Sequence, residues 1–306
     1  MNDITSITIK QKDGAITKLT QYICPDTPKA SILILHGMAE HQNRYQAFAK
    51  YLVGQGFDVF TYNHRGHGSD KKLTDLGFIS AENGYHLVVE DTIAVSEQID
   101  KINRSSRFFL LGHSMGSLIA RNVIQTYDKY TGVILSGTTY PSKLLTVSGL
   151  CISSLISKFN GPKHISSYLN NLMFGGKKYT SLGSRTTFDW LSRSNPVVGA
   201  YMNDPYCGFI CTASFYHDLL KLVSFATKKN SICQTRKDLP LYIISGEKDP
   251  VGGYGKEIHK FLSILKKYEF TNVFSKLYPD CRHETLNELN HDEVYDDIQQ
   301  WITKRL

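Results

Sequence analysis

The sequence predicts an α/β fold with a mainly parallel central sheet flanked by helices, and three observations predict it. Short, wholly apolar runs of strand length recur along the chain. Between them lie longer stretches whose apolar residues repeat at helical spacing. A glycine-rich turn, Gly112 to Gly116, joins one apolar run directly to a helical stretch. Such alternation is what repeated strand–helix units leave in a sequence, because strands buried on both faces read as continuous apolar runs.

Taken in order, the elements begin with two Ile/Thr-rich stretches, Ile4 to Ile9 and Ala15 to Ile23. They flank the turn signal Lys12-Asp13-Gly14 and read as a hairpin at the sheet edge. Ser31 to Leu35 is a short buried strand, followed by a helix with Tyr45, Phe48, Ala49, Leu52 and Val53 on one face and Gly54 and Gly56 at its end. Phe57 to Tyr62 is strand-like, and Val88, Thr92, Val95, Ile99 and Ile102 trace a helix face. Phe108 to Leu111 is the next buried run, then the glycine turn and a helix over Ser117 to Thr126, then the strand Gly132 to Ser136. Later come the strand Leu241 to Ser245, a helix with Ile258, Phe261, Leu262 and Leu265 inward, and the strand Val273 to Tyr278. A last helix opens with a capping box, Asn290 to Glu293, and buries Tyr295, Ile298 and Ile302.

The interval from Thr138 to about Gly208 breaks this rhythm. It is rich in Ser, Asn, Gly and aromatic residues and holds no convincing buried strand. It reads as an inserted helical cap, giving a core of residues 1–137 and 211–306 and a cap of residues 138–210. The helix over Cys211 to Thr227 is compatible with either part.

Composition limits the function classes. The 41% apolar and 21% charged fractions are those of an ordinary globular protein. The net charge of +7 is dispersed rather than gathered in a block, and no nucleic-acid-binding signature is present, so no nucleic-acid partner is expected. No signal-peptide-like or membrane-spanning run occurs, which leads to the expectation of a cytoplasmic protein. The six cysteines lack CxxC or zinc-type spacing, so free thiols and no metal are expected.

The residues that carry chemistry start with Gly112-His113-Ser114-Met115-Gly116, a G-x-S-x-G between a buried strand and a helix. A sharp strand-to-helix turn needs glycine two residues either side of the serine and aims the helix N-terminus at the serine hydroxyl. A neutral serine is a weak nucleophile, so a base and an orienting acid are required. Asp249, just past the strand Leu241 to Ser245, is placed for the acid role, with Glu247 as its rival. His283, in the loop beyond the strand Val273 to Tyr278, is placed for the base. The chain order Ser114, Asp249, His283, each at a strand end, is that of a nucleophile-elbow hydrolase. Backbone N–H groups of Met38, in His36-Gly37-Met38-Ala39-Glu40-His41, and of Met115 are placed to form an oxyanion hole. His36, His41 and His113 read as loop-orienting hydrogen-bonding residues rather than metal ligands. Cys281, two residues before His283, is placed to crowd that histidine and confer sensitivity to thiol reagents.

These motifs also carry a resemblance. His36-Gly37 with Glu40-His41, Arg65-Gly66-His67-Gly68-Ser69, Gly112 to Gly116, Asp249-Pro250-Val251, and His283-Glu284 with Asn287-Glu288 together resemble the monoacylglycerol lipase and lysophospholipase L2-like family of α/β-hydrolases. Phe188 to Arg193 and Tyr201 to Phe209 are similar to that family's cap. The resemblance implies an α/β-hydrolase fold, Ser114, Asp249 and His283 as a triad, Met38 and Met115 as the oxyanion hole, an apolar acyl site under the cap, and no cofactor. It implies an acyl ester or lipid substrate. The apolar stretch Val147 to Ile156 in the cap reads either as a surface for transient membrane contact or as a helix packing over the pocket. Two positions depart from the pattern: Asn63 stands where an acidic residue is frequent, and Ser194-Asn195-Pro196 replaces an acidic cap position, so the resemblance implies nothing about head-group preference. The same triad also serves acyl transfer and amide or peptide hydrolysis, and the fold can serve as a non-catalytic receptor.

Overall fold

The computed structural model describes residues 4–182 and 185–306. Eight strands form one sheet in the order β1-β2-β4-β3-β5-β6-β7-β8. They are β1 (Ile4–Lys10), β2 (Ile16–Tyr22), β3 (Ser31–Leu35), β4 (Asp58–Tyr62), β5 (Phe108–His113), β6 (Gly132–Ser136), β7 (Leu241–Gly246) and β8 (Val273–Tyr278). The first two make the expected hairpin, with Ile7 opposite Leu19, and β2 pairs antiparallel with β4. From β4 through β8 every pairing is parallel.

The apolar runs are explained by burial on both faces. Within β3 and β5, Leu33, Leu35, Phe108 and Leu110 enter one core, while Ile32, Ile34, Phe109 and Leu111 enter the other. The helices α1 (Gln46–Gly54), α2 (Gly84–Ile102) and α3 (Met115–Val123) cover the first half of the sheet. Helix α3 is buried at every position. It starts two residues earlier than the helical spacing predicts, because the turn at Ser114 leads straight into it.

Between β6 and β7 lie α4 (Lys143–Asn160), α5 (Ser167–Phe174), α6 (Lys177–Thr180), α7 (Asn195–Asn203), α8 (Ala213–Thr227) and α9 (Lys229–Gln234). Helix α8 packs on α2 and α3, so it covers the sheet, and α4 in turn packs on α8. The described residues of the interval expected as a cap contain no named strand, only the isolated bridge Ile165–Thr212. Helices α10 (Lys256–Lys267) and α11 (His291–Thr303) complete the layers. The expected capping box at α11 takes another form. Asn290 Nδ2 donates to Glu293 Oε2 at 2.8 Å, while Asn290 Oδ1 accepts from Arg193 and from the Cys281 thiol instead of capping the helix.

Strand order turns back at β3, which has β4 on one side and β5 on the other. Loops leaving the carboxyl ends of β3 and β5 therefore diverge and open a crevice, the place where open α/β sheets bind ligands.

Candidate active site

Ser114 occupies that crevice, at the junction of β5 and α3, with φ 51° and ψ −115°. A non-glycine residue in this region is strained and persists only where its surroundings impose it. The imposition comes from close approach on both sides. A Cβ on Gly112 would lie 2.3 Å from the Gly116 carbonyl oxygen, and one on Gly116 would lie 2.3 Å from the Leu35 carbonyl oxygen. The two glycines thus let β5, α3 and β3 meet, and the meeting lifts Ser114 above the sheet.

The Asp249 carboxylate follows β7 and is fully buried. Its Oδ2 accepts from Ser245 Oγ at 2.9 Å and its Oδ1 from the Val251 N–H at 2.8 Å. His283 Nδ1 lies 3.0 Å from each of the two carboxylate oxygens. Glu247, the rival acid, points into solvent. Burial of the pair opposes both charges, but the mutual attraction and hydrogen bond prevail: Asp249 is held below the ordinary carboxylate range and His283 above the ordinary imidazole value. The His283 ring is packed between His113 and Trp190, with centroids 4.7 and 5.2 Å away. Its room depends on Gly137, where a Cβ would come within 2.9 Å of His283 Cε1.

Asp249 and His283 are thus in direct contact, and Ser114 faces the same cavity as His283 and Met38. No hydrogen bond joins the Ser114 hydroxyl to the His283 ring among the described residues. Such contacts are often long before substrate binds. The cavity measures about 330 Å³; its wall is largely aromatic and apolar, with Phe174, Phe188, Trp190, Tyr201 and Phe209, and Glu40, Asn170, Asn171 and Glu284 supply its polar groups. A second cavity of about 450 Å³ shares Ser114 and Met38 and adds Met115. Its wall is largely aliphatic, including Leu118, Ile152, Leu169, Met173, Leu219 and Val223. The backbone N–H groups of Met38 and Met115 have no acceptor among the described residues.

Several supporting contacts lie beyond the sequence expectations. Arg44 joins Glu40, at 2.5 Å, to Glu284, at 2.6 and 2.7 Å, so the loop after β3 is tied to the loop of His283. Tyr45 OH and the Gly37 N–H also donate to Glu40 Oε1. The only sequence signal for Arg44 is its four-residue spacing from Glu40. The segment Phe188 to Arg193, expected as part of a cap, backs the His283 loop: His283 N–H donates to Trp190 O and Glu284 N–H to Leu191 O. Arg193 pairs with the buried Glu288 at 2.9 Å.

Among the histidines, His36 Nδ1 meets Gly37 O at 2.7 Å and its Nε2 accepts from the His64 N–H. His41 Nε2 lies 2.8 Å from Asp204 Oδ2, and His113 Nδ1 lies 3.3 Å from Ser136 Oγ. Asn63 keeps a loop contact despite its departure from the family pattern, accepting from the Gln42 N–H and donating to Asp70. Cys281 departs from expectation. Its thiol is fully buried, points at Asn290 and Arg193, and is pushed up to about 11, chiefly by burial. It neither crowds the His283 ring nor offers a thiolate to reagents.

Residues 26–290 match the model of a hydrolase family described as "Serine aminopeptidase, S33". The chain belongs to this family. It is similar to "Monoglyceride lipase" of Homo sapiens, 26% identical over 287 residues that make up 91% of this chain and 84% of that one. It is also similar to "Monoacylglycerol lipase" of Mycolicibacterium smegmatis, 28% identical over 290 residues, 92% of this chain and 91% of the relative. A solved carboxyl esterase from Bacillus coagulans, in complex with glycerol, superimposes with a TM-score of 0.89 at 25% identity, covering 99% of each chain. The fold is that of an α/β-hydrolase, and this member of the S33 family is an enzyme.

Proposed function

We propose that the protein is a serine carboxylic ester hydrolase acting on monoacylglycerol, lysophospholipid or a related acyl ester. The observation that carries this reading is the meeting of two unlike cavities at Ser114. The aliphatic cavity suits an acyl chain, and the smaller one, edged by Glu40, Asn170, Asn171 and Glu284, suits a hydrogen-bonding alcohol.

In this reading the Ser114 hydroxyl attacks the ester carbonyl carbon while His283 Nε2 takes its proton. Asp249 orients the ring through Nδ1 and stabilises the imidazolium. The Met38 and Met115 N–H groups, with the α3 N-terminus, hold the oxyanion. The tetrahedral intermediate then collapses, the alcohol leaves with the proton from His283, and an acyl ester of Ser114 remains. Water, deprotonated by His283, attacks that ester and returns the serine. No cofactor takes part in these steps.

Residues 138–210 act as the cap in this reading, completing a core of residues 1–137 and 211–306. Exposed Leu144, Leu145, Phe159, Ile165, Tyr168 and Leu172 on and beside α4 and α5 suit transient contact with a lipid surface. No helix among the described residues is long and apolar enough to cross a membrane. In this reading the enzyme works in the cytoplasm and at the membrane face.

The test is labelling with a fluorophosphonate probe and turnover of p-nitrophenyl esters of graded chain length, for the wild type and Ser114→Ala. Labelling and turnover that vanish together in Ser114→Ala support the reading. A folded wild type that does neither leaves the protein a ligand receptor. Added alcohols that appear in the product as new esters turn the assignment to acyl transfer.

A further inference from the structure

A second group of chemistry-bearing side chains lies beside the Ser114 crevice, where the loop after β3 meets the turn after α7. One ligand-capable atom from each of His41, Asp204 and Cys207 falls within 4.8 Å of the other two. Imidazole nitrogen, carboxylate oxygen and sulfur form a donor set suited to zinc, whereas calcium and magnesium are held by oxygen. A tetrahedral Zn²⁺ with bonds of about 2.0–2.3 Å sets its donors about 3.3–3.8 Å apart. The three side chains therefore need to shift by about 1 Å or less to reach that spacing.

Two features bear on a ligand there. The His41 side chain is 8% exposed; its Nε2 lies 2.8 Å from Asp204 Oδ2, where a metal would replace the shared proton, and its Nδ1 has no hydrogen-bond partner among the described residues and is free to take that proton. The Asp204 side chain is 32% exposed, so solvent reaches the cluster and a water can complete a fourth position. The nearby Arg44 does not make the cluster hostile to a cation, because its guanidinium is shared between Glu40 and Glu284. With Asp204, three carboxylates face one fixed positive charge. Sequence spacing conceals the cluster, since His41 is far from Asp204 and Cys207 along the chain and no zinc-type cadence results.

We propose that His41, Asp204 and Cys207 bind a thiophilic divalent cation of the zinc class, which staples the loop carrying Met38 to the turn after α7. On binding, the Cys207 thiol proton passes to solvent and the sulfur coordinates as thiolate. The two segments already share one acceptor: the Ala39 carbonyl takes the Gly208 N–H at 2.9 Å and the Tyr201 hydroxyl at 2.9 Å. A metal bridge draws the loop carrying Met38 towards the turn after α7 by up to about 1 Å, which misplaces the Met38 N–H and so slows turnover. The binding site stands on these side chains alone; the inhibition rests on the proposed ester hydrolysis.

The experiment adds Co²⁺, a coloured substitute for Zn²⁺, to the metal-free full-length protein in a phosphine reductant and records the absorption spectrum. One equivalent is expected to give tetrahedral ligand-field bands and a thiolate-to-cobalt charge-transfer band, which stoichiometric Zn²⁺ bleaches. Cys207→Ser, or Cys207→Ala where the serine variant is poorly folded by circular dichroism, should lose the charge-transfer band. It should also weaken Zn²⁺ binding at least tenfold while keeping metal-free esterase activity. A variant lacking the exposed thiols, Cys151→Ser with Cys233→Ser, should keep the band. Zn²⁺ should depress wild-type turnover and a chelator restore it. No charge-transfer band in the wild type, or a band that survives loss of Cys207, overturns the site. Full Co²⁺ binding with undiminished turnover overturns the staple. An inactive wild type that shows the band leaves the site standing and counts against the hydrolase reading.

Discussion

The two halves of the segment between β6 and α8 are held to different degrees. Residues 188–208 are pinned by directional bonds: Trp190 O and Leu191 O receive N–H groups of the His283 loop, Arg193 pairs with Glu288, and Tyr201 and Gly208 donate to Ala39 O. Helix α4 instead rests on α8 mainly by side-chain packing, with Ser153 Oγ and His217 Nδ1 3.1 Å apart as a polar contact between them, and it exposes Leu144 and Phe159 at 78% and 79%; α5 is tied to α8 by the Tyr216 hydroxyl donating to Asn170 Oδ1. Hydrogen bonds fix a geometry, whereas packing of a mostly exposed amphipathic helix defines a position without fixing it. The pinned half thus belongs with the floor of the site, and the packed half forms its roof.

The division sets different expectations for each side. The largest effect should come from Asp249→Asn, which leaves the fold but denies His283 its tautomer and counter-charge; kcat should fall about 10⁴-fold. The fall should be equal for a water-dispersed short ester and a micellar long one, and a loss that depends on presentation would break the floor–roof division. Next is Arg44→Met. Leaving Glu40 and Glu284 buried without their partner should cost about 3–5 kcal/mol of stability, read from urea unfolding, while a loss below about 1 kcal/mol would show that the tie is dispensable.

Acid comes third, and two effects with different signs must be separated. Burial, helped for His113 by the nearby His283, lowers His67 and His113 from 6.5 to about 4, whereas their unfolded values are ordinary. The unfolded chain therefore binds more protons between these limits. Stability is complete above about pH 6.5 and falls by about 3 kcal/mol for each of the two histidines as pH drops towards 4. His283 is shifted the other way, so its contribution to stability is present at low pH and lost as pH rises through its folded value. Its activity as a base has the reverse dependence: kcat should fall with acidification through a pKa above 6.5, before unfolding begins. A pH–rate profile beside a pH series of unfolding curves distinguishes the two, and a kinetic pKa below 6.5 would remove His283 from the base role.

The smallest effect on stability is expected on the roof. Leu144→Ser with Phe159→Ser should change unfolding free energy by about 0.5 kcal/mol or less. Turnover of a dispersed short ester should stay constant while turnover of a vesicle-borne ester drops about a hundredfold or more, since each of the two apolar side chains buried at an interface contributes about 1.5–3 kcal/mol. Equal losses on both substrates would make α4 part of the floor.

How much of this was legible in the sequence follows from the range of the forces involved. The strands β3 to β7 were readable because burial on both faces leaves only apolar residues in each short run. Ser114 was readable because its turn imposes glycine at 112 and 116, and Asp249 and His283 because strand ends bring them to one edge. Arg44 was not readable, since its meaning lies in Glu284, 240 residues away. The same is true of Trp190 and Leu191, whose backbone carbonyls carry the contact to the His283 loop and leave no mark on residue type. Cys281 was misplaced because sequence proximity to His283 says nothing of side-chain direction, and Asn290 because tertiary partners took the oxygen that a local capping box would use.

The meeting of two cavities at a single serine hydroxyl also bears on competition between acceptors. In the proposed reaction, once the alcohol departs the acyl group still fills the aliphatic chamber, and only the chamber edged by Asn170, Asn171 and Glu284 is vacated. Whatever enters there next, water or a second alcohol, encounters the acyl enzyme first. The partition between hydrolysis and transfer is then a property of one wall of the site and of the relative occupancy of its visitors. The proposed triad is itself indifferent to which of them arrives.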